Sequence, residues 1–317
     1  MFFLLEVRRL RLLRELQVHG TVTATAEALH LSGPAVSQQL AALEKEAGMP
    51  LLEKQGRRLR LTAAGNLLVE HAEVILGQLA TVEADLRALR GGDQGLVRVA
   101  AFPSAARVLV SRMWRALSQE RGRSPELRVI EHEPDEAAEG LRRHDSDIAI
   151  VHSYSLLPRD LPAGCEQHRL MDEPVLLALP QHLAAERTLI AGQRVNLADL
   201  ADENWLMPGP ETSCHELTRR ACGSAGFVPR PAVIASDFSV LTELVAVGAG
   251  VALVPRMALP ADTSNVSLHP LVHPVVRVVH AFTRIGDARL PHVKLVLEAL
   301  RSVAADIELR AMAVAQQ

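Results

Sequence analysis

Residues 23–72 of the chain read TATAEALHLSGPAVSQQLAALEKEAGMPLLEKQGRRLRLTAAGNLLVEHA, and this stretch decides the fold of the N-terminal region. It contains two short helical patterns, at 23–29 and 32–46, joined by a link of only a few residues. Ser32 precedes the second pattern as a natural N-cap, and Pro34 falls in its first turn, where a missing N–H costs nothing. Two short helices joined so tightly are typical of a helix-turn-helix, whose second helix fits the major groove of DNA.

The second helix of this motif has an apolar stripe and a polar face. Val36, Leu40 and Leu43 recur on one helical face, which predicts that they are buried. Ser37 and Gln38 lie off that stripe, and their side chains can donate and accept hydrogen bonds at base edges. The alternative is a helix pair of another kind of bundle, because such patterns also occur in helical proteins that do not bind DNA.

Further patterns flank this motif. Residues 7–19 have leucines at helical spacing and are followed by Gly20, which predicts a first helix. Residues 51–54 and 59–61 are short alternating runs around a basic tip at 55–58, which predicts a β-hairpin wing that contacts phosphates. The alternative for the basic tip is solvated charge on a hairpin.

The distribution of charge favours a nucleic-acid partner for the N-terminal region. The 317 residues carry a net charge of −3, which alone does not suggest such a partner. Residues 1–62, however, hold nine Lys and Arg against six Asp and Glu, so this region is net positive and the remainder is net negative. A basic head on an acidic body is expected where one end docks on phosphates. With 3% aromatic residues, the chain has few platforms for stacking single-stranded bases.

Residues 23–72 resemble the DNA-binding signature of the LysR family of transcription regulators almost end to end. The shared features are an Ala-rich second helix, Pro-Ala-Val-Ser, a Leu-Glu pair, Gly-x-x-Leu-Leu-Glu, a Gly-Arg-Arg wing tip and Leu-Thr-x-x-Gly. The resemblance implies that the following residues contact double-stranded promoter DNA: Thr23, Ser32, Gly33, Pro34, Ser37, Gln38, Arg57, Arg58 and Thr62. Gly33 and Gln38 depart from the family pattern, which usually has Gln and very often Arg there, so the preferred operator is expected to differ.

A long helix is predicted after the wing, at 62–90, where no proline occurs. Apolar residues repeat every seven positions along it in an a/d seam, which is typical of helices that pair. The seam consists of Ala72, Ile75, Leu79, Val82, Leu86 and Leu89. The resemblance implies that two copies dimerise through this helix, and the alternative is that the seam packs on the chain's own C-terminal domain. The glycine-rich run 91–95 is predicted to be a hinge.

The C-terminal region alternates strands and helices between residues 96 and 305. Such alternation predicts open parallel sheets with a ligand at the carboxyl ends of the strands. Strand patterns at 174–180 and 275–283 are expected to cross into a second lobe and to return. Segments 131–151 and 235–255 resemble the LysR-type effector domain, which implies two lobes around a cleft, as in periplasmic binding proteins.

The predicted fold class is an N-terminal α-helical winged helix-turn-helix and a long linker helix, followed by an α/β two-lobed effector domain. The predicted domains are the DNA-binding domain at 1–62, the linker and dimerisation helix with its hinge at 63–94, and the effector domain at 95–317. Lobe I is expected at about 95–170 and 270–305, and lobe II at about 171–269.

Ser104 is the strongest effector-site candidate on physical grounds. It follows the first strand of the domain at a helix start, where free N–H groups and the helix dipole attract an anion. The alternative is a plain N-cap. By family analogy the cleft is lined by Ser104, Glu133, His152, Ser153, Met207, Ser236, Phe238 and Pro255, of which Glu133 and His152 suit a polar or cationic effector.

The sequence predicts neither catalysis nor a cofactor. No nucleophile elbow, phosphate loop or dinucleotide fingerprint occurs, and the 13 His residues lack metal-ligand spacing. Cys165, Cys214 and Cys222 are too few and too scattered for a disulfide framework or a zinc site. Cys214 and Cys222 invite comparison with the family's peroxide sensors, but on one continuous helix they would lie about 12 Å apart. That separation exceeds disulfide reach.

A cytoplasmic location is expected, because the chain shows no signal-peptide pattern and no apolar run of about 20 residues. The resemblance implies a small-molecule effector, self-association into a dimer or tetramer, and RNA polymerase as a further partner. The remaining alternative is a solute-binding protein for transport. The sensor lobes alone would allow it, but the basic N-terminal region and the missing signal peptide argue against it.

Overall fold

The computed structural model describes residues 5–55, 58–89, 95–119, 124–190 and 192–315. The chain divides into two compact units, Met1–Asp93 and Gln94–Gln317. The predicted Gly-rich hinge falls largely at 90–94, outside the described residues, as does Arg57 at the tip of the wing.

The first unit contains three short helices, a β-hairpin and a long helix. In chain order they are α1 (Val7–His19), α2 (Val22–Ala28), α3 (Gly33–Ala47), β1 (Leu52–Gln55), β2 (Arg58–Leu61) and α4 (Ala63–Leu89). The predicted helices and the hairpin are therefore confirmed. The Ser32 hydroxyl caps α3 by accepting a hydrogen bond from the Ala35 N–H at 3.4 Å, and Gly48 in the left-handed region ends the helix.

Leucine side chains from α1 and α3 form the core of the first unit. Leu10, Leu13 and Leu16 of α1 pack with Leu40 and Leu43 of α3, all at most 4% exposed. The apolar stripe predicted from the sequence of α3 is thus buried.

The junction between the wing and α4 depends on close backbone approach. The Thr62 hydroxyl donates to the carbonyl of Pro50 at 2.9 Å and accepts from the N–H of Gly65 at 3.1 Å. A Cβ at Gly65 would clash with the Leu51 carbonyl oxygen. These contacts explain physically why the Leu-Thr-x-x-Gly sequence suits this position.

The second unit is an α/β structure. Its strands are β3 (Leu96–Ala101), β4 (Glu126–Glu131), β5 (Ile148–Tyr154), β6 (Cys165–Pro180), β7 (Asn204–Met207), β8 (Arg230–Ile234), β9 (Ala252–Pro255), β10 (Val266–His269) and β11 (Val276–Arg284). Its α-helices are α5 (Pro103–Ala105), α6 (Ser111–Gln119), α7 (Pro134–Arg142), α8 (Gln181–Glu186), α9 (Ser213–Ser224), α10 (Phe238–Ala246) and α11 (Pro291–Ala315). A π-helical turn, Ala106–Val110, joins α5 to α6, and short 3₁₀ turns lie at Leu197–Leu200, Arg256–Ala258 and Asp287–Arg289.

The main sheet has the strand order β10-β6-β11-β5-β3-β4, and β9 also pairs with β6. β3 runs parallel to β4 and β5, but β11 runs antiparallel to β5 and β6, and β6 runs antiparallel to β9 and β10. The predicted parallel pairing therefore holds for β3, β4 and β5, and the remaining pairings of this sheet are antiparallel. β6 leaves one lobe and β11 returns to it, so these two strands run in opposite directions where they pair.

Two strands connect the lobes. Residues 165–174 of β6 pair with β11, whereas residues 175–180 pair with β9 and β10 in the second lobe. β11 then pairs with β5 in the first lobe, as the sequence predicted.

Ser104 lies in the first helical segment of the second unit. This segment, α5, is only three residues long and passes through a π-helical turn into α6. Phe102, not Ser104, occupies the N-cap position of α5, so Ser104 is not a plain cap. π-Helical turns are rare and occur frequently at functional sites.

Candidate DNA-binding surface and effector cleft

The polar face of α3 is open to solvent. Pro34, Ser37 and Gln38 are exposed. Gln39, the next residue, is half-buried and its Oε1 accepts a hydrogen bond from Arg9 Nε at 2.9 Å. Gln39 therefore links α3 to α1 by a hydrogen bond, whereas the exposed Gln38 can contact another molecule.

The other predicted DNA-contacting residues are spread over neighbouring segments. Thr23 and Ser32 are exposed, and Gly33 has open space where a Cβ would stand. Thr62 is half-buried and its hydroxyl holds the wing against α4, so its side chain has a structural role. For Arg58, the structure describes the backbone in β2 but not the side chain.

The apolar seam of α4 is only partly buried within the chain. Ala72 is fully buried in the core of the first unit, so it is not available to a second copy. Ile75, Leu79, Val82 and Leu86 are 38–54% exposed. The side chain of the last member, Leu89, lies outside the described part of the helix.

A buried arginine lies at the junction of the two lobes. Arg277, at the start of β11, is 1% exposed. Its Nε donates to Glu173 Oε1 at 2.7 Å, a terminal nitrogen donates to Ser104 Oγ at 3.0 Å, and its guanidinium lies 5.0 Å from the ring centre of Phe102. Glu173 also accepts the Met257 N–H at 2.5 Å. Ser104 is thus a hydrogen-bond partner of Arg277. The sequence did not lead to Arg277, for which the one signal was a charged residue within an apolar strand pattern.

Burial and neighbouring charges shift the pKa of three side chains at this junction. Burial disfavours the charged form of Arg277, but the neighbouring Glu173 raises the pKa of Arg277 above its ordinary value. Burial, aided by Arg277 and Arg159, holds the pKa of His152 well below its ordinary value, so this imidazole is neutral at neutral pH. Burial raises the pKa of Glu133, and the nearby Glu131 and Glu211 raise it further, against Arg277 and Arg159.

Tyr154 and Cys214 form a buried contact between the lobes. The Tyr154 hydroxyl oxygen and the Cys214 sulfur lie 2.7 Å apart. Burial raises the pKa of Cys214 to about 11 and that of Cys222 to about 12. Both cysteines lie on α9, as the sequence analysis assumed, and at neutral pH both are thiols.

A pocket of about 400 Å³ opens between the lobes beside Tyr154. We call it the cleft pocket; it is lined by Asp135, His152, Ser153, Tyr154, Leu157, Pro158, Arg159, Asp160, Glu211, Thr212 and Ser213.

Two of the predicted effector residues, His152 and Ser153, line the cleft pocket. Ser236 is exposed and donates to Glu211 of the pocket at 3.1 Å. Met207 and Phe238 pack in hydrophobic clusters, and Pro255 is buried at the end of β9. The structure therefore places the last three in the packing around the cleft.

The described residues contain no cluster of His, Cys, Asp or Glu arranged to hold a metal ion. Within the same ranges, no helix combines the length and the apolar run that a bilayer span requires.

An exposed recognition helix in one unit and a two-lobed cleft in the other define a DNA-binding regulator with a ligand-sensing domain. Two family profiles match the chain: "Bacterial regulatory helix-turn-helix protein, lysR family" at residues 7–66, and "LysR substrate binding domain" at residues 90–305. The chain belongs to the LysR family. It is a LysR-type transcriptional regulator with an effector-binding domain, and not an enzyme.

Known proteins similar to the chain support this assignment. The HTH-type transcriptional regulator CbbR of Xanthobacter flavus is 31% identical over 294 residues, which cover 90% of this chain and 83% of the relative. Full-length OxyR of Pseudomonas aeruginosa, solved as a cysteine variant, has a TM-score of 0.67 at 23% identity and covers 95% of this chain and 96% of its own. Full-length CbnR in complex with its target DNA has a TM-score of 0.55 at 24% identity, with coverages of 94% and 99%. At these identities the two structures show the shared fold.

Proposed function

We propose that α3 recognises the promoter through Ser37 and Gln38. Their exposure on the face opposite the buried leucines is the observation that carries this assignment. Hydroxyl and amide groups can pair with base edges in the major groove, and a Gln amide suits adenine. Further residues, two of them in the wing, are proposed to contact the DNA and to complete this surface: Thr23, Ser32, Gly33, Pro34, Arg57, Arg58 and Thr62.

The cleft pocket is the proposed effector site. His152 and Ser153 come from the end of β5 in one lobe, and Ser213 comes from the start of α9 in the other. A ligand in contact with both lobes fixes their relative position, and promoter affinity then depends on the ligand. Such coupling is reciprocal, so promoter DNA must change the affinity for the effector by the same factor.

Within this proposal, Ser104 acts through Arg277 and Ser236 acts through Glu211, because each is hydrogen-bonded to that residue. Glu133 supplies charge beside the pocket. Met207, Phe238 and Pro255 shape the cleft by packing.

The self-association surface is proposed to be the exposed part of the α4 seam. Apolar side chains that repeat at heptad spacing and remain exposed gain most by pairing with a second copy. The assembly is a dimer or a dimer of dimers, which acts in the cytoplasm, where promoter DNA lies, and contacts RNA polymerase there.

A gel-shift experiment with the DNA upstream of the gene tests promoter binding. We expect a shift that weakens steeply as salt rises, because contacts with phosphates release counterions. No shift, or a shift insensitive to salt, would contradict the proposal. Addition of the effector must alter the midpoint of the shift.

Dimerisation is tested by placing a charge on the seam. Val82→Lys is expected to weaken self-association at least tenfold in sedimentation equilibrium, since it buries a charge at an apolar contact. Val74 is also exposed on α4 but lies off the seam, so Val74→Lys is the matched control and should leave the assembly unchanged. Equal behaviour of the two variants would refute the seam.

A further inference from the structure

The cleft pocket contains buried polar atoms without partners. Among the described residues, His152 Nδ1 and Ser213 Oγ are buried and have no hydrogen-bond partner. His152 is only 2% exposed, and both residues line the pocket from opposite lobes. An unsatisfied buried polar atom costs free energy, so native structures rarely leave one without a role. Two in one pocket indicate a place where a ligand's polar groups bind.

The charges that line the pocket are mainly negative. Asp135, Asp160 and Glu211 contribute three carboxylates, and Arg159 contributes the one guanidinium of the lining. Arg159 is already paired with Asp135, and its Nε donates to the His152 carbonyl at 3.1 Å. Among the described residues, the Glu211 carboxylate accepts one side-chain hydrogen bond, from the Ser236 hydroxyl. Of these three carboxylates, Asp160 and Glu211 therefore have no ion-pair partner among the described residues.

Glu133 adds to this imbalance. It is half-buried at the start of α7, and its carboxylate forms no hydrogen bond or ion pair with the described residues. Burial is the main cause that raises the pKa of Glu133, and the nearby Glu131 and Glu211 raise it further, whereas Arg277 and Arg159 lower it. A positive charge close to Glu133 and Glu211 would stabilise the ionised form of both carboxylates.

An anionic ligand fits the pocket less well. The N-terminus of α9 would favour an anion, but the nearby cations are occupied: Arg277 is paired with Glu173, and Arg159 with Asp135. His152 is a neutral imidazole at neutral pH, so it offers a hydrogen bond and no charge. An anion would face the unpaired Asp160 and Glu211 carboxylates of the lining without a free countercharge among the described residues.

We infer that the effector is a small organic cation with a protonated amine, which sits in the cleft pocket against Glu211 and hydrogen-bonds His152 Nδ1 and Ser213 Oγ, with Glu133 adding negative charge nearby. This inference rests on the proposed effector role of the cleft. A pocket of about 400 Å³ has room for such a molecule.

The test uses the full chain at pH 7.5 and constant ionic strength. Ethanolamine, 1,4-diaminobutane and agmatine are the cationic probes, and succinate and glycolate are the anionic ones; binding is followed by thermal shift and titration calorimetry. At least one amine should raise the melting temperature in a saturable way. Glu211→Gln should weaken that amine about tenfold, as expected when a charged hydrogen bond is lost. Ser213→Ala should weaken it several-fold.

Glu186→Gln is the matched control, because Glu186 is an exposed carboxylate on α8 and does not line the pocket. It should bind the amine as the parent chain does. No saturable effect of any amine, or equal binding by Glu211→Gln, would overturn the inference.

Promoter binding, measured in parallel, separates the two proposals. If an anion binds in a Ser213-dependent way and shifts promoter affinity, the cleft stands as the effector site and the cationic class is wrong. If the chain binds amines but never binds promoter DNA, the regulatory proposal fails and the pocket assignment stands.

Discussion

The proposed DNA-binding surface and the proposed effector cleft differ in how their side chains are buried. On α3, Ser37 and Gln38 are exposed polar side chains above a core of leucines. In the cleft, Arg277, Glu173 and His152 are at most 3% exposed, and the Phe102 ring contacts both Arg277 and His152. An exposed residue of α3 can be substituted without disturbing the fold. A buried residue of the cleft also stabilises the fold, so its substitution destabilises the domain. Specificity for DNA and stability of the sensor should therefore respond very differently to substitution.

The largest expected effect lies in the cleft. Glu173→Ala leaves Arg277 charged and buried without its partner, which costs about 3–5 kcal/mol. For a unit of this size we expect the melting temperature to fall by roughly 10 °C in calorimetry. The double variant Glu173→Leu with Arg277→Met removes both charges and should recover much of this loss. A single variant as stable as the parent would show that the pair does not support the fold.

A second large effect concerns the thiols of α9. Because burial raises the pKa of Cys214 to about 11, its thiolate fraction at pH 8 is about a thousandth. Alkylation by iodoacetamide, followed by intact mass, should be roughly two orders of magnitude slower in the native chain than in urea, and should accelerate as pH approaches 11. Rapid native labelling, or a Cys214–Cys222 disulfide after mild peroxide treatment, would instead indicate a redox sensor.

A smaller effect tests the junction below the DNA-binding surface. Gly65→Ala places a Cβ against the Leu51 carbonyl and should destabilise the first unit by about 2 kcal/mol. Gly33→Ala meets nothing within 4 Å and should change stability by less than about 0.5 kcal/mol. Hydrogen exchange of peptides from the first unit measures both. If the two variants exchange alike, the close approach does not matter for stability.

The same contrast explains what the sequence could predict. Helices α1 to α4 and the hairpin follow from local periodicity and caps, and the structure confirms them. The cleft depends on contacts between distant residues: Arg277 meets Glu173 and Ser104, which lie more than 100 positions earlier. No local pattern encodes such a pair, so Ser104 was interpreted through its helix position and Arg277 was missed.

Strand direction escaped prediction for a related reason. Alternating strands and helices favour parallel pairing, which holds for β3, β4 and β5. The antiparallel position of β11 follows from its return between the lobes, which is a property of the whole chain path.

Promoter affinity of Gln38→Ala is the most direct test of the central claim, that the exposed face of α3 recognises DNA independently of what stabilises the fold. Loss of one base contact is worth about 1–3 kcal/mol, so affinity for the promoter fragment at fixed salt should fall at least about fivefold. Gln17→Ala, at an exposed position of α1, is the control. The account predicts weaker binding by Gln38→Ala alone, with the melting temperature unchanged. Equal affinity of Gln38→Ala and Gln17→Ala would contradict it.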